Sequence, residues 1–290
     1  MKLKNILKFG FLFLAAGMLL TGCGNPAGSP ADGDKSDNNI SSSSNSSGNL
    51  QEVTPKSGDL IATFEIEGFG TIKAVLFPDI APVGVENFQK LCNDGFYKGL
   101  TIHRVMEGFM FQGGSTNGNG TGGEAAVNGG SFGIETSDNA RHFYGALCYA
   151  NAAGQNSTQF YIVNSNEKNP FDNMIKQYDD VINEYKKRAA AASSADEKAF
   201  YEYYASQYET AREDYKKEVA AMDPALKKLY NERGGAPSLD GDYTVFGQVY
   251  EGFDVIQSIS KVEVVEDSRN EKSKPVQTIV IKDITVTEFK

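Results

Sequence analysis

The chain has 290 residues, which exceeds one average domain, but its N-terminal part has a composition that cannot form a packed core. Its net charge of −10 argues against nucleic-acid binding, which relies on a basic surface to neutralise the phosphates of the nucleic acid. With two histidines and three cysteines in no clustered spacing, the sequence also lacks the ligand pattern of a zinc site. We therefore expect no nucleic-acid partner, no metal and no cofactor.

The N-terminus has the pattern of a secretory signal. Lysines within residues 1–8 precede an apolar run, Phe9–Leu20, that is too short to span a bilayer but suits the apolar core of a signal peptide. The run ends in Leu20-Thr21-Gly22-Cys23, which resembles the lipobox of bacterial lipoproteins. That resemblance implies removal of residues 1–22 and acylation of Cys23, with chains such as palmitate holding the protein at the extracytoplasmic face of the cell membrane. The alternative is a signal peptide with an incidental cysteine.

Residues 23–57 consist mainly of Ser, Asn, Gly, Asp and Pro. Such a segment buries too little apolar surface to offset the entropy of ordering, so we predict a disordered tether. Folded sequence follows: Leu60–Glu67 and Thr71–Phe77 alternate as strands do, and Pro82 begins an amphipathic helix that ends at Asn93-Asp94-Gly95.

The stretch Ile102–Gly114 combines large apolar side chains with Arg104 and Gln112 and ends in a double glycine. Its alternation predicts two short strands around Gly108. A strand face that carries an arginine among apolar side chains is costly unless the charge is paired. The sequence therefore predicts a partner that sits against the guanidinium of Arg104.

A glycine-rich loop follows, and Gly118–Gly123 matches the spacing G-x-G-x-x-G. A dinucleotide site would need a helix directly after this motif, whereas Glu124–Gly130 is too short and too rich in glycine to form one. We interpret the loop as a mobile surface segment beside a site, not as a nucleotide cradle.

Residues 167–235 differ in composition from the strand-like sequence on both sides. This segment is rich in Ala, Glu, Lys and Tyr, and its tyrosines recur at helical spacing from Tyr201 to Tyr215. Ser194 and Glu197 have the spacing of a capping box, and a facing apolar seam runs from Tyr178 to Tyr185. We predict an antiparallel helical hairpin inserted into a β domain formed by residues 58–166 and 236–290.

Three blocks resemble the cyclophilin family. They are the His103-Arg104 pair followed by Gly108–Gly114, the segment Gly145–Ile162, and the segment Leu239–Val249. The blocks occur in the family's order and span most of Gly58–Lys290 outside the insertion. The resemblance implies a mainly β fold: a closed eight-stranded antiparallel barrel capped by two helices, here carrying the inserted α-helical hairpin.

The resemblance also implies an activity, the cis–trans isomerisation of X-Pro bonds in proline-containing polypeptides that fold outside the cytoplasm. The reaction is a bond rotation, so it needs no nucleophile or cofactor. It needs an apolar cup for the proline ring and a donor aimed at the proline nitrogen. By the family's motif the catalytic residues are Arg104 and Gln112. The substrate-binding residues are His103, Phe109, Met110, Asn151, Gln159, Tyr161, Leu239 and Tyr243.

The chain departs from the family's pattern at the pocket rim. Ser238 stands where many cyclophilins have tryptophan, so we expect weak cyclosporin binding with catalysis retained. Tyr161 replaces the usual phenylalanine, and Tyr243 a frequent histidine. The turn 152–158 is also one residue shorter than the commonest form.

Several alternatives stay open at this stage. The chain could be a non-catalytic peptide-binding chaperone that kept the groove without useful turnover. A hydrolase is disfavoured, because no G-x-S-x-G elbow or nucleophile–base pair occurs. The insertion could form a wall or lid for substrates, or a solvated elaboration away from the groove. Cys92 and Cys148 could pair, although separate thiols are our expectation.

Overall fold

The computed structural model describes residues 53–268 and 270–290. The predicted signal peptide, the lipidation site Cys23 and nearly all of the predicted tether lie outside the described residues. Within the described part of the chain, no helix is both long and apolar enough to cross a membrane.

The described fold has twelve strands and five α-helices. The strands are β1 (Leu60–Ile66), β2 (Gly70–Leu76), β3 (Thr101–Ile102), β4 (Arg104–Met106), β5 (Met110–Gly113), β6 (Phe132–Gly133), β7 (Ala146–Ala152), β8 (Gln155–Val163), β9 (Val245–Glu251), β10 (Val264–Glu266), β11 (Lys272–Pro275) and β12 (Ile279–Glu288). The helices are α1 (Pro82–Asn93), α2 (Pro170–Ala191), α3 (Ala195–Ala221), α4 (Pro224–Arg233) and α5 (Phe253–Ser260).

The large sheet is antiparallel and nearly closes on itself. Its order is β3-β12-β1-β2-β9-β7-β8-β5-β4, with β6 attached beside β8. The two ends of this path, β3 and β4, are consecutive segments separated only by His103, whose backbone N–H donates to the Gln112 carbonyl at 3.0 Å. Counted as one interrupted strand, they complete the eight-stranded barrel that the resemblance implied.

Side-chain alternation along the strands fills the barrel interior. Phe160 and Ile162 of β8 point inward with Leu147 and Tyr149 of β7, and all four are fully buried. Helix α1 begins at Pro82 and contributes Val85, Phe88 and Leu91 to the same core. Helix α5 contributes Val255, Ile256 and Ile259. The two helices thus cap the barrel, as predicted.

The helical insertion consists of α2, α3 and the shorter α4. The predicted seams face each other: Tyr178 lies 6.0 Å from Tyr215 and Tyr185 lies 5.6 Å from Tyr208 between ring centroids, so α2 and α3 are antiparallel. The cap of α3 is close to the prediction. Ser194 accepts from the Glu197 N–H at 3.1 Å, while the Glu197 carboxylate accepts from Ser193 instead of Ser194.

The base of the insertion packs on the barrel through a small apolar cluster. Tyr230 and Phe171 lie against Phe143, with ring centroids of Tyr230 and Phe143 4.5 Å apart. Gly235 follows α4 at φ 130° and pairs with Phe143 as a β-bridge. A side chain there would meet the His142 carbonyl, so the return of the chain to the barrel requires glycine.

Candidate active site

The candidate site lies on the outer face of the barrel wall. In β5, β7 and β8 the residues that alternate with the interior ones point outward, among them Met110, Cys148 and Tyr161. They form a second apolar cluster, separate from the barrel core. The cluster includes or touches every apolar residue predicted for the proline pocket: Phe109, Met110, Tyr161, Leu239 and Tyr243.

These residues differ in exposure to solvent, with a buried floor and half-buried sides, as in a cup. Met110 and Tyr161 are buried, with exposed fractions of 1% and 4%, and form the floor. Phe109, Leu239 and Tyr243 are half-buried and pack against that floor from the sides. An apolar ring that packed against this cluster would meet mainly apolar surface.

Arg104 and Gln112 stand side by side at the edge of this cup. They are cross-strand partners in β4 and β5, and the arginine Nη1 lies 3.5 Å from the Gln112 Oε1 and 3.9 Å from the Met110 Sδ. Gln112 in turn donates to the Gln159 Oε1 at 2.9 Å, and Gln159 donates to the Gly120 carbonyl at 3.0 Å. The glycine-rich loop therefore contacts the polar edge of the site.

The double glycine that ends the motif allows this close packing. Gly114 has φ 85°, and a Cβ added there would lie 2.5 Å from the Thr158 carbonyl oxygen. Thr158 instead donates its hydroxyl to the Gly114 carbonyl at 2.8 Å. The approach of the loop to β8, which places Gln159 beside Gln112, therefore depends on glycine at this position.

The predicted partner of Arg104 is Glu271. The arginine Nε and Nη2 lie 2.6 Å and 2.7 Å from the two carboxylate oxygens, a bidentate pair. Both side chains are 21% exposed, so the pair is only partly screened by water. Sequence reasoning anticipated a partner but not this one, because Glu271 lies in a charged segment with no motif.

Three residues that were not predicted, His142, Asp240 and Tyr230, support one wall of the cup beside the predicted Tyr161 and Tyr243. His142 is 1% exposed, and its ring stacks on Tyr161 with centroids 6.2 Å apart. Its Nδ1 lies 2.8 Å from the Asp240 carboxylate, which also accepts from the Tyr230 hydroxyl at 2.7 Å. Tyr243 meets the Tyr161 ring edge-on at 6.0 Å. His142 lies in a loop, where the sequence has no helix or strand periodicity, so its place beside Tyr161 could not be predicted from the sequence.

The remaining predicted residues take different positions. Asn151 lies in β7 and donates to the Asp242 carbonyl at 3.0 Å, which ties the strand to the segment carrying Tyr243. Ser238, in place of the family's tryptophan, is exposed in a short 3-10 turn beside Leu239. His103 is buried at the strand interruption, and its backbone continues the pairing with Gln112.

Burial sets the protonation of the outer wall. It raises the pKa of the Tyr161 hydroxyl and of the Cys148 thiol well above their ordinary values, so both are neutral at physiological pH. Cys92 and Cys148 are both buried free thiols, as expected, and burial likewise raises the pKa of Cys92. A neutral buried thiol is a poor nucleophile, so the cup offers apolar surface and a hydrogen-bond donor, not covalent chemistry.

Comparison with known proteins agrees with this geometry. A family model described as "Cyclophilin type peptidyl-prolyl cis-trans isomerase/CLD" matches residues 61–188 and 223–286. Proteins named "Putative peptidyl-prolyl cis-trans isomerase" are similar over 220 residues, which is 76% of this chain and 88% of theirs. The Staphylococcus aureus (strain COL) protein is 33% identical, and one from Staphylococcus epidermidis (strain ATCC 12228) is 34% identical.

Solved structures support the fold. A cyclophilin-type isomerase from Cryptosporidium parvum superposes with a TM-score of 0.51 at 20% identity, covering 80% of this chain and 99% of that one. A structure of the same protein in the presence of the dipeptide Ala-Pro gives a TM-score of 0.50 at 21% identity, covering 79% and 99%. With the family model matched across both halves of the barrel, the chain belongs to the cyclophilin-type peptidyl-prolyl cis–trans isomerases.

Proposed function

We propose that this cyclophilin accelerates X-Pro bond rotation in polypeptides that fold outside the cytoplasm, while a lipid on Cys23 holds it at the membrane. One observation carries the catalytic part of the proposal. The Arg104 guanidinium is held at the edge of an apolar cup whose floor is Met110 and Tyr161. That is the pairing of donor and ring pocket which this rotation needs.

The physical demand on the catalyst is specific. Rotation about a peptide bond meets a barrier of about 18–20 kcal/mol, because the conjugation between nitrogen and carbonyl is lost. As the bond twists, the proline nitrogen regains a lone pair that can accept a hydrogen bond. A donor that reaches this lone pair stabilises the twisted state more than the planar one, which is the condition for raising the rate.

Each site residue then has a part. Arg104 supplies the donor through its guanidinium N–H groups. Gln112 lies between Arg104 and Gln159 and fixes the polar edge, where it can also hold the peptide backbone. The proline ring occupies the cup, and the backbone of Asn151 holds the chain beside it. His103 supports the strand interruption at the rim.

The rim also bears on inhibitors. Ser238 is exposed beside Leu239 and offers neither the surface nor the N–H of an indole. We therefore expect weak cyclosporin binding, since a large apolar ligand gains little from a serine hydroxyl at that point. Titration of the parent and of Ser238→Trp with cyclosporin tests this, and equal affinities would contradict it.

The catalytic proposal is tested by exchange spectroscopy or a protease-coupled assay on a short proline peptide. We expect the parent to accelerate isomerisation and Arg104→Ala to lose about 10²-fold or more, since a preorganised donor is removed. Arg188→Ala is the matched control, because Arg188 pairs with Glu184 on the helical insertion. A parent that binds the peptide without accelerating it would favour the peptide-binding chaperone, and equal rates in parent and Arg104→Ala would refute the assigned role.

The location is tested separately. Full-length protein expressed in a bacterium with an alkyne-labelled fatty acid should carry the label and sediment with membranes, whereas Cys23→Ser should lack the label. A labelled Cys23→Ser, or an unlabelled parent found in the soluble fraction, would contradict the lipoprotein proposal and leave the catalytic one untouched.

A further inference from the structure

The Arg104–Glu271 pair has a geometry that a surface ion pair rarely has. Both oxygens of one carboxylate engage two nitrogens of one guanidinium edge, at 2.6 Å and 2.7 Å, although the two residues are 167 positions apart. The planar fork of arginine matches a carboxylate in this arrangement, which adds directional precision to the attraction.

Glu271 is itself held in place by its own loop. It lies in the connection between β10 and β11, where its N–H donates to the Asp267 Oδ1 at 3.0 Å. Its carbonyl accepts from the N–H of Asp267 at 2.8 Å and of Ser273 at 2.9 Å. With three backbone hydrogen bonds on one residue, the carboxylate is presented from a fixed position.

The ion pair leaves one nitrogen of the Arg104 guanidinium, Nη1, on the side of the cup. The Nε and Nη2 edge is taken by Glu271, while Nη1 lies beside the Gln112 Oε1 and the Met110 Sδ at the cup. Because the guanidinium is rigid and planar, fixing one edge fixes the direction of the remaining N–H groups. An arginine without this anchor would lose more conformational freedom on reaching the twisted bond.

We propose that Glu271 is a positioning residue for the isomerisation: it holds the Arg104 guanidinium so that Nη1 faces the proline nitrogen. The inference rests on the proposed function and names a component that the family's motif blocks do not include in this chain. It also gives the β10–β11 hairpin, which lies outside the barrel sheet, a role in the chemistry.

Two opposing effects of the carboxylate must be weighed. Its negative charge partly neutralises the arginine and would weaken the donor, whereas its two hydrogen bonds orient the donor. Small errors in the position of a catalytic group cost up to about 10²-fold in rate. A hydrogen bond from Nη1 keeps most of its strength when the far edge of the cation is paired, so orientation is the larger effect.

The test uses the full chain with Glu271→Ala and Glu271→Gln. We expect kcat to fall about 10-fold in Glu271→Ala with KM changed less than about twofold, because the donor acts mainly in the twisted state. Glu271→Gln keeps one acceptor oxygen, so its kcat should lie between that of the parent and that of Glu271→Ala. Glu266→Ala is the matched control, since this exposed glutamate lies on the same hairpin.

A double mutant separates positioning from a merely structural role. Lysine cannot form the bidentate pair, so in an Arg104→Lys background Glu271→Ala should cause no further loss of kcat. In the parent, the Arg104 Nε–H resonance should be protected from exchange with water, and Glu271→Ala should remove that protection. The inference is wrong if folded Glu271→Ala has a kcat equal to or above that of the parent. It is also wrong if Glu271→Ala lowers kcat by the same factor in the parent and in the Arg104→Lys background. An inactive parent would instead refute the proposed function.

Discussion

The barrel and the helical insertion are built on different physical principles. Helix α1 has 12 residues and buries six of them against the barrel core. Helices α2 and α3 have 22 and 27 residues, yet between them they bury only Phe171, Ile182, Ala189, Ala205 and Val219. What holds the insertion together is a ladder of half-buried tyrosines and many surface ion pairs, such as Arg212 with Asp179.

The barrel and the insertion should therefore contribute unequally to the free energy of unfolding. Tight apolar burial contributes several times more free energy than exposed ion pairs, whose median contribution is small. We therefore expect the barrel to carry the global stability and the insertion to open locally at lower cost. The two regions meet at Asp240, which joins Tyr230 of α4 to His142 of the pocket wall.

The largest expected contrast concerns two phenylalanines. Phe88 is fully buried on α1, with Phe64, Tyr97 and Phe246 around its ring, so Phe88→Ala should lower the free energy of unfolding by about 3–5 kcal/mol. Phe200 on α3 is 53% exposed, and Phe200→Ala should leave it nearly unchanged. Urea denaturation measures both. Equal losses in the two variants would mean that the insertion is as tightly packed as the barrel.

The junction should give an intermediate effect. Tyr230→Phe removes the hydroxyl that donates to Asp240 at 2.7 Å and leaves a largely buried carboxylate, 11% exposed, with one donor fewer, which should cost about 1–3 kcal/mol. Tyr203→Phe is the matched control, because Tyr203 is 59% exposed. If peptide turnover also falls in Tyr230→Phe at full folding, Asp240 transmits the state of the insertion to the pocket wall. Loss of stability equal to that of the control would contradict the role of the junction.

Alkaline pH should weaken the barrel through its buried thiols. Burial raises the pKa of Cys92 and Cys148 above the ordinary thiol value of 9.0, so the folded state keeps protons that the unfolded state releases. Their contribution is complete below pH 9.0 and is lost as the pH rises toward the folded pKa, at about 1.4 kcal/mol per pH unit for each thiol.

Urea denaturation between pH 8 and pH 10 measures this slope. Cys92→Ala should make the slope shallower by the contribution of one thiol, while Cys148 and buried tyrosines such as Tyr161 keep theirs. An unchanged slope in Cys92→Ala would show that other groups cause the alkaline loss.

The smallest effect on the chemistry should come from shortening the insertion. Removal of residues 186–207, with a Gly-Ser turn joining the helices, keeps the contacts of Tyr178 with Tyr215 and of Phe171 with Tyr230. Turnover of a short proline peptide should stay within about twofold, because the removed part touches none of the cup residues named above. Refolding of a proline-limited protein substrate is the second measurement. A loss there alone would support recruitment by the insertion, and no change in either would favour a solvated elaboration.

Much of the architecture could be predicted because it depends on local periodicity. Alternation in Leu60–Glu67 and Thr71–Phe77 predicted strands, and the tyrosine spacing from Tyr201 to Tyr215 predicted a one-sided helix, since both patterns follow from which face is buried. The capping prediction at Ser194 and Glu197 was correct for one hydrogen bond and displaced by one residue for the other. A fraying helix end tolerates such a shift at little cost.

What the sequence by itself determined is most of the strands and helices, the family motif and the need for a partner against Arg104. Only the tertiary structure decided that the partner is Glu271 and that His142 and Asp240 complete the cup wall. These contacts join residues that are far apart in the chain, and no local pattern encodes them. They arise because closing the barrel and returning the chain from the insertion bring distant segments to one face, where desolvation makes an unpaired charge too costly to keep.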